Sequence, residues 1–232
     1  MEDIISMLNA DAPTTAPVVN QPPQYNNTGY NGGGQKEDLF NANIPPKAVD
    51  KSQLRRASNT FAVITASNVV PEDVLMRIYS AAKLLFEKGL VFRFSGEKEN
   101  QLGMTIYSSN VVNTDIMLPY KKFNADITDA KTYKPTKLAR EYASGYHTKY
   151  NELSPGARTH LGNNMHIILG ENTNAPLTVL LTYSPKGEES DKGMDYATVG
   201  KTSFFLRAAS DLNIPVFNFA NPDALDRLRS FI

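Results

Sequence analysis

Short apolar runs alternate with longer amphipathic segments along most of this chain. The apolar runs are rich in β-branched and aromatic residues, end in polar residues and have the length of buried strands. They occupy residues 61–65, 90–96, 115–119, 177–182 and 214–218. Strands that are apolar throughout and alternate with helices are buried on both faces of a sheet. We therefore predict an α/β fold: a single Rossmann-like, doubly wound, mostly parallel sheet with helices on both faces.

The segments between these runs have helical spacing. From residue 72 to 88 the apolar side chains recur every three or four positions, Pro71 precedes the first turn and Gly89 follows the last. We predict a helix there with Gly89 as its C-cap. Further helices are predicted around residues 102–109, over 135–170 with a break near 154–156, between the last two strands, and over 222–232.

The beginning of the chain has a different composition. Residues 1–34 are dominated by Asn, Pro, Gln, Thr and Gly, so they cannot bury enough apolar surface to offset chain entropy. We predict a disordered low-complexity arm and linker over residues 1–57, followed by the Rossmann-like domain over 58–232. Near the start, a short apolar cluster is either a helical motif for a partner protein or a chance group of hydrophobic residues. It comprises Ile4, Ile5, Met7 and Leu8.

The composition limits the kinds of chemical site that the chain can form. The chain has no cysteine, which excludes disulfides, thiolate metal sites and cysteine nucleophiles and favours a cytoplasmic protein. The spacing of His147, His160 and His166 completes no ligand set with acidic residues, so neither a metal nor another cofactor is expected. The apolar stretch at the start is too short for a signal peptide or a membrane span, so no membrane association is expected.

Positive charge is concentrated between residues 121 and 149, although the chain as a whole has a formal net charge of zero. Tyr142, Tyr146 and Tyr150 recur there every four residues, which places them on one helix face. Cations beside aromatic rings suit the backbone and unstacked bases of a single strand. The alternative is that the tyrosines pack in the core and the lysines form a solvated face. The nucleic-acid-binding candidates are Lys121, Lys122, Lys134, Lys137, Arg140, Tyr142, Tyr146 and Lys149, with Arg55 and Arg56 from an earlier basic cluster.

The segment Gly200-Lys201-Thr202 looks like the end of a Walker A loop. That motif needs a glycine five residues earlier, and position 195 is Asp, so we predict an ordinary helix start with Thr198 as its cap. In an open parallel sheet, ligands bind outside the carboxyl ends of the strands. Small polar residues there are candidates for a phosphate or nucleotide pocket, although the same residue types also fill turns. They are Ser67, Asn68, Ser95, Gly96, Thr182, Gly200, Lys201, Thr202 and Ser203.

The order of these segments resembles the DprA/LOG-like Rossmann superfamily, often called SLOG, and more closely the DprA-like proteins of bacteriophages and bacteria. The resemblance covers roughly residues 60–231 and leaves the arm unexplained. It is carried by Ser95-Gly96 after the second strand, by Met117-Leu118-Pro119-Tyr120 with Phe123-Asn124, by Asn164 six residues before Gly170, and by Ile214-Pro215-Val216-Phe217-Asn218.

The departures from this superfamily bear on the expected function. Its enzymatic members, which resemble nucleoside-monophosphate phosphoribohydrolases, use a glutamate on the helix after a Gly-Gly-Thr loop. Here no acidic residue lies between Lys201 and Ser210, and Val199 replaces the first glycine, where its branched side chain would crowd a phosphate. We therefore expect no catalytic residues.

The resemblance and the basic segment together imply a non-enzymatic, phage-type accessory protein that binds single-stranded DNA. Its arm would recruit a recombination, replication or transcription protein, in the cytoplasm of a bacterial host, and the chain would act as a monomer or a homo-oligomer. The alternative is a SLOG-type nucleotide sensor or a phosphoribohydrolase.

Overall fold

The computed structural model describes residues 44–55, 58–66, 69–98, 100–124, 127–132 and 134–232. Most of the predicted arm therefore lies outside the described residues. So do several residues with a predicted role in binding a partner, a nucleic acid or a phosphate: Ile4, Ile5, Met7, Leu8, Arg56, Ser67 and Asn68.

Five parallel strands form one sheet in the order β3-β2-β1-β4-β5. The strands are β1 (Thr60–Thr65), β2 (Val91–Phe94), β3 (Thr114–Ile116), β4 (Val179–Tyr183) and β5 (Val216–Asn218). The chain moves outward from β1 to β3 and then returns to the other side of β1, so the strand order reverses between β1 and β4. The five predicted strands and the parallel α/β sheet are confirmed.

Helices cover both faces of this sheet. One face is packed by α1 (Glu72–Glu87), α2 (Gln101–Ser109) and α7 (Ala224–Phe231), and the other by α3 (Lys137–Tyr146), α4 (Pro155–Leu169) and α6 (Thr202–Leu212). A single turn of helix, α5 (Tyr196–Val199), precedes α6. No helix of the described residues is long and apolar enough to cross a membrane.

Alternation along β1 divides the core between the two faces. Phe61 and Val63 pack with α1, where the Phe61 ring lies 5.3 Å from the rings of both Phe86 and Phe92. Ala62 belongs to the core under α3, α4 and α6. A strand with apolar residues on both sides is the expected centre of a doubly wound sheet.

Local capping explains where the helices begin. The Thr136 hydroxyl accepts the Ala139 N–H at the start of α3, and Ser154 does the same for Ala157 before Pro155 of α4. The predicted break near 154–156 is therefore a true helix boundary. The predicted cap at Thr198 is wrong: Asp195 accepts the Ala197 N–H and starts α5 earlier, because a carboxylate two residues before that amide is already in position to cap it.

A buried arginine on β2 ties the amino ends of the strands to the loop before β4. The Arg93 guanidinium donates to the Ala175 carbonyl at 2.8 Å and to the Ser58 hydroxyl at 3.0 Å. Burial lowers the pKa of Arg93 to about 10, although the nearby Asp115 carboxylate opposes the shift. The group therefore stays charged at neutral pH and depends on these acceptors.

Hydrogen bonds and an ion pair hold the loop between β4 and α5 across the carboxyl ends of β4 and β5. Glu189 accepts two hydrogen bonds from Arg227 of α7, at 2.9 and 2.5 Å, and also the Asn218 N–H at 2.9 Å. Its neighbour Glu188 accepts from the Ser184 hydroxyl at 2.5 Å. Burial alone would raise the pKa of Glu189, but the bonds from Arg227, Asn218 and Asn221 outweigh it and hold the pKa below the usual value.

We expect Glu189→Gln to lower the free energy of unfolding by about 2 kcal/mol at pH 7, because charge-assisted hydrogen bonds are replaced by neutral ones. A carboxylate with a depressed folded-state pKa stabilises the fold above its unfolded pKa and loses that contribution as the pH falls through the folded pKa. Urea denaturation at several pH values should show the difference between the two proteins shrinking below about pH 4. A difference that is constant down to pH 2 would contradict this assignment.

Candidate functional site

A small crevice with a volume of about 40 Å³ opens at the carboxyl ends of β1 and β2, beside the reversal of strand order. This is where open parallel sheets bind ligands, because the loops after neighbouring strands diverge to opposite faces. The lining residues come from β1, from the loop after β2, and from α4 and α6: Ile64, Thr65, Ser95, Glu97, Asn100, Asn164, Ile167, Lys201 and Phe205. Two predicted pocket residues, Ser95 and Lys201, are therefore in the crevice.

Several polar groups in this crevice lack hydrogen-bond partners. Thr65 and Ser95 are 5% and 8% exposed and Asn164 is half-buried, and the polar side-chain atoms of all three form no hydrogen bond among the described residues. None of these atoms is fully buried, so water or a polar ligand can reach them from the crevice. Three such groups around one small space suit a polar ligand.

Charge in the crevice comes from one lysine and one carboxylate. Lys201 Nζ lies 3.8 Å from Glu97 Oε2, and the two side chains are 48% and 31% exposed. At that distance and exposure the pair contributes little to stability, so Lys201 can exchange Glu97 for an anionic ligand at little cost. Sequence reasoning treated Glu97 only as a departure from the superfamily; its position directly after Ser95-Gly96 was the signal that would have placed it here.

The start of α6 closes one wall of the crevice. Gly200 has a φ of 47°, and a Cβ there would lie 3.4 Å from the Ala66 carbonyl oxygen, so the helix begins against the end of β1. Val199 is fully buried with Met194 and Leu206. The expectation that its side chain would crowd a phosphate is therefore wrong, because the side chain points into the core.

The other predicted pocket residues that the structure describes serve the fold. Gly96 has a φ of 68°, and a Cβ there would lie 2.5 Å from Leu118 Cδ2, so the turn requires glycine. Thr182 is buried in β4 and its hydroxyl has no partner among the described residues, but it does not line the crevice. The Thr202 hydroxyl donates to the Val199 carbonyl, and the Ser203 N–H donates to the Gly200 carbonyl at 3.1 Å.

The predicted tyrosine stripe lies in the core. Tyr142, Tyr146 and Tyr150 are 5%, 9% and 2% exposed and pack against the sheet with α4 and α6. The Tyr146 hydroxyl donates to Asp211 at 2.7 Å; burial raises the pKa of Tyr146, and the Asp211 hydrogen bond adds to the shift. In this fold the three rings are not available to stack on bases.

The predicted cations lie in separate parts of the structure. The backbone N–H of Arg55 donates to the Asn174 carbonyl in the loop before β4, which places Arg55 at the amino ends of the strands and opposite the crevice. Lys149 lies 3.9 Å from Glu152, in a depression formed with Ile44 and Pro46. The remaining cations come from two neighbouring segments and are exposed, apart from the half-buried Arg140: Lys121, Lys122, Lys134, Lys137 and Arg140.

An aromatic cluster, which sequence reasoning did not assign, includes a residue of α4 one helical turn before Asn164 of the crevice. It consists of Tyr120, Phe123 and His160, with ring centroids 5.1 Å apart for the first two and 5.4 Å apart for the last two. Tyr120 is 47% exposed. His160 lies one helical turn before Asn164 on α4, and burial lowers its pKa, opposed by the nearby Glu97 carboxylate.

Comparison with protein-family models, curated proteins and solved structures finds no match to this chain. The described residues contain no group of three or more histidine and acidic side chains that could hold a metal ion. The resemblance to the DprA/LOG-like superfamily therefore stays a prediction that rests on the short segments quoted above.

We expect Tyr142→Ala to lower the free energy of unfolding by about 3 kcal/mol, because a large buried side chain is removed from the core. Lys137→Ala is the matched surface control on the same helix. It should change the free energy of unfolding by less than about 0.5 kcal/mol, since the Lys137 side chain is 86% exposed. Chemical denaturation of both variants checks this. An undiminished stability of Tyr142→Ala would show that this ring does not support the core.

Proposed function

We propose that the protein binds a nucleotide in the crevice at the carboxyl ends of β1 and β2, without transforming it. The observation that carries the proposal is that the Thr65 and Ser95 hydroxyls, which form no hydrogen bond among the described residues, share the crevice with the Lys201 ammonium group, whose solvent-exposed pairing with Glu97 is weak. Hydroxyls and an ammonium group suit the oxygens of a phosphate or a ribose.

The α6 terminus supports the same ligand. The first turn of α6 has no side-chain cap and is preceded by Gly200, which lies against the Ala66 carbonyl at the end of β1. The Ser203 N–H already donates to the Gly200 carbonyl. Helix N-termini attract anions through their remaining N–H groups and the helix dipole. A phosphate beside Lys201 would therefore meet positive potential from both the side chain and the backbone.

Hydrolysis of the ligand is not part of the proposal. Among the described residues, Glu97 is the only acidic side chain that lines the crevice, and it faces Lys201. Cleavage of an N-glycosidic bond would require a carboxylate to stabilise an oxocarbenium-like transition state and to activate water. Release of free base from a nucleoside monophosphate that Glu97→Gln abolishes would instead assign the protein as a phosphoribohydrolase.

Calorimetric titration with AMP tests the nucleotide proposal. Lys201→Ala should weaken binding by roughly 10- to 150-fold, the loss of a charge-assisted hydrogen bond. Glu97→Gln should strengthen it, because a competing negative charge is removed. Lys83→Ala, an exposed lysine on α1, is the matched control and should bind as the wild type does. Equal binding by Lys201→Ala and Lys83→Ala would refute the assignment.

Single-stranded DNA is a second candidate ligand, favoured by the charge beside the crevice. Lys121, Lys122 and Lys134 are exposed and have no acidic partner among the described residues. The bridge between Met117 and Thr132 runs parallel and brings residue 134 towards the turn that carries the other two lysines. A phage-type accessory role, with recruitment through the arm in a bacterial cytoplasm, belongs to this candidate.

The triple variant Lys121→Glu, Lys122→Glu, Lys134→Glu should abolish oligonucleotide binding and leave the melting temperature nearly unchanged, because exposed charges contribute little to stability. The control with the same change in net charge is Lys83→Glu, Lys88→Glu, Lys192→Glu. Fluorescence anisotropy over a salt series checks both, since binding through several phosphates weakens steeply with salt. Equal loss of binding in the two triple variants would show that only net charge matters.

A further inference from the structure

The ring of Tyr120 belongs to a residue that is 47% exposed, whereas its neighbours Leu118 and Pro119 are buried. It packs edge-on against the rings of Phe123 and His160, with centroids 5.1 and 6.2 Å away. Tyrosine rings with one exposed side are enriched at binding surfaces, because they combine an apolar face with a polar group.

The loop that carries Tyr120 is held rigidly against the crevice wall. Asn124 donates to the Gly96 carbonyl at 3.0 Å, directly after Ser95 of the crevice, and Asn163 of α4 donates to the Met117 carbonyl at 2.6 Å. Both ends of the loop are therefore fixed to elements that line the crevice. A ring placed in advance by its surroundings loses little entropy when it binds.

The aromatic cluster and the crevice are connected through α4 and Glu97. Lys201 faces Glu97, the Glu97 charge acts on His160, and His160 contacts both Phe123 and Tyr120. His160 and Asn164 are one turn apart on α4, about 5–6 Å between their Cβ atoms. An aromatic group therefore lies one helical turn along α4 from Asn164, which lines the crevice together with Lys201.

We propose that the aromatic cluster is a stacking platform for an unpaired nucleobase, with Tyr120 as the contacting ring. This inference rests on the proposed binding of a phosphate in the crevice. Stacking on aromatic side chains accepts every base, because every base has a π-face. The base belongs either to a free nucleotide or to a single strand. If it belongs to a single strand, Lys121 and Lys122 are placed to bind the phosphates on either side of it.

The chain contains no tryptophan, so Tyr120→Trp introduces a single fluorescent reporter at the platform. Four probes separate base from backbone: decathymidylate, an abasic strand of equal length, AMP, and ribose 5-phosphate. We expect quenching by decathymidylate, AMP or both, and none by the abasic strand or ribose 5-phosphate. Quenching by decathymidylate alone assigns the base to a strand, and quenching by AMP assigns it to a free nucleotide.

Affinities of Tyr120→Ala complete the test. Loss of one stacked base should weaken binding of the base-bearing probe by roughly 5- to 150-fold and leave the baseless probes unchanged. Tyr196→Ala is the control, because Tyr196 is 54% exposed but packs beneath Arg207 instead of bordering the crevice. If the wild type binds and Tyr120→Ala binds equally well, the platform is refuted and the crevice assignment stands. If the wild type binds none of the probes, both are refuted.

Discussion

Parallel pairing of β1 with both β2 and β4 is the constraint on which the rest of the molecule depends. The register aligns Phe61 with Val179 and with Phe92, so the three central strands begin at the same level, and β2 ends two residues before β1 and β4. Their carboxyl ends must then lie at one edge of the sheet, and every loop that follows a strand emerges there. The crevice exists because the loops after β1 and β4 leave this edge towards opposite faces.

That edge is open only in part. The loop between β4 and α5 folds over the ends of β4 and β5, where Glu188 and Glu189 satisfy Ser184, Asn218 and Arg227. Ser184 and Asn218 at β4 and β5 are therefore used internally, whereas the Thr65 and Ser95 hydroxyls at β1 and β2 form no hydrogen bond among the described residues. The Thr182 hydroxyl of β4 is also unpaired there, but it is buried in the sheet and does not line the crevice. The same small polar residue types thus have different roles at the two halves of the edge.

Sequence reasoning succeeded where periodicity and topology decide the answer. Apolar runs and helical spacing were sufficient for the five strands and for the helices beside them. The rule for parallel sheets pointed to the edge where Ser95 and Lys201 line the crevice, while their role in binding a ligand stays a prediction. It could not decide whether a stripe such as Tyr142 and Tyr146 faces the core or the solvent, because both produce the same four-residue repeat. Glu97 and Tyr120 lie in loops, whose paths depend on tertiary hydrogen bonds such as that from Asn124 to Gly96.

The buried Arg93 affects how the protein unfolds. Its guanidinium links residues that are 35, 74 and 82 positions away along the chain, through Ser58, Ile167 and Ala175. Partial separation of these segments would leave the charged guanidinium without acceptors. The free-energy cost is large, so partly unfolded states are rarely populated. The central strands and α4 should therefore melt as one cooperative block, and slow amide exchange would be shared across segments that are distant in the chain.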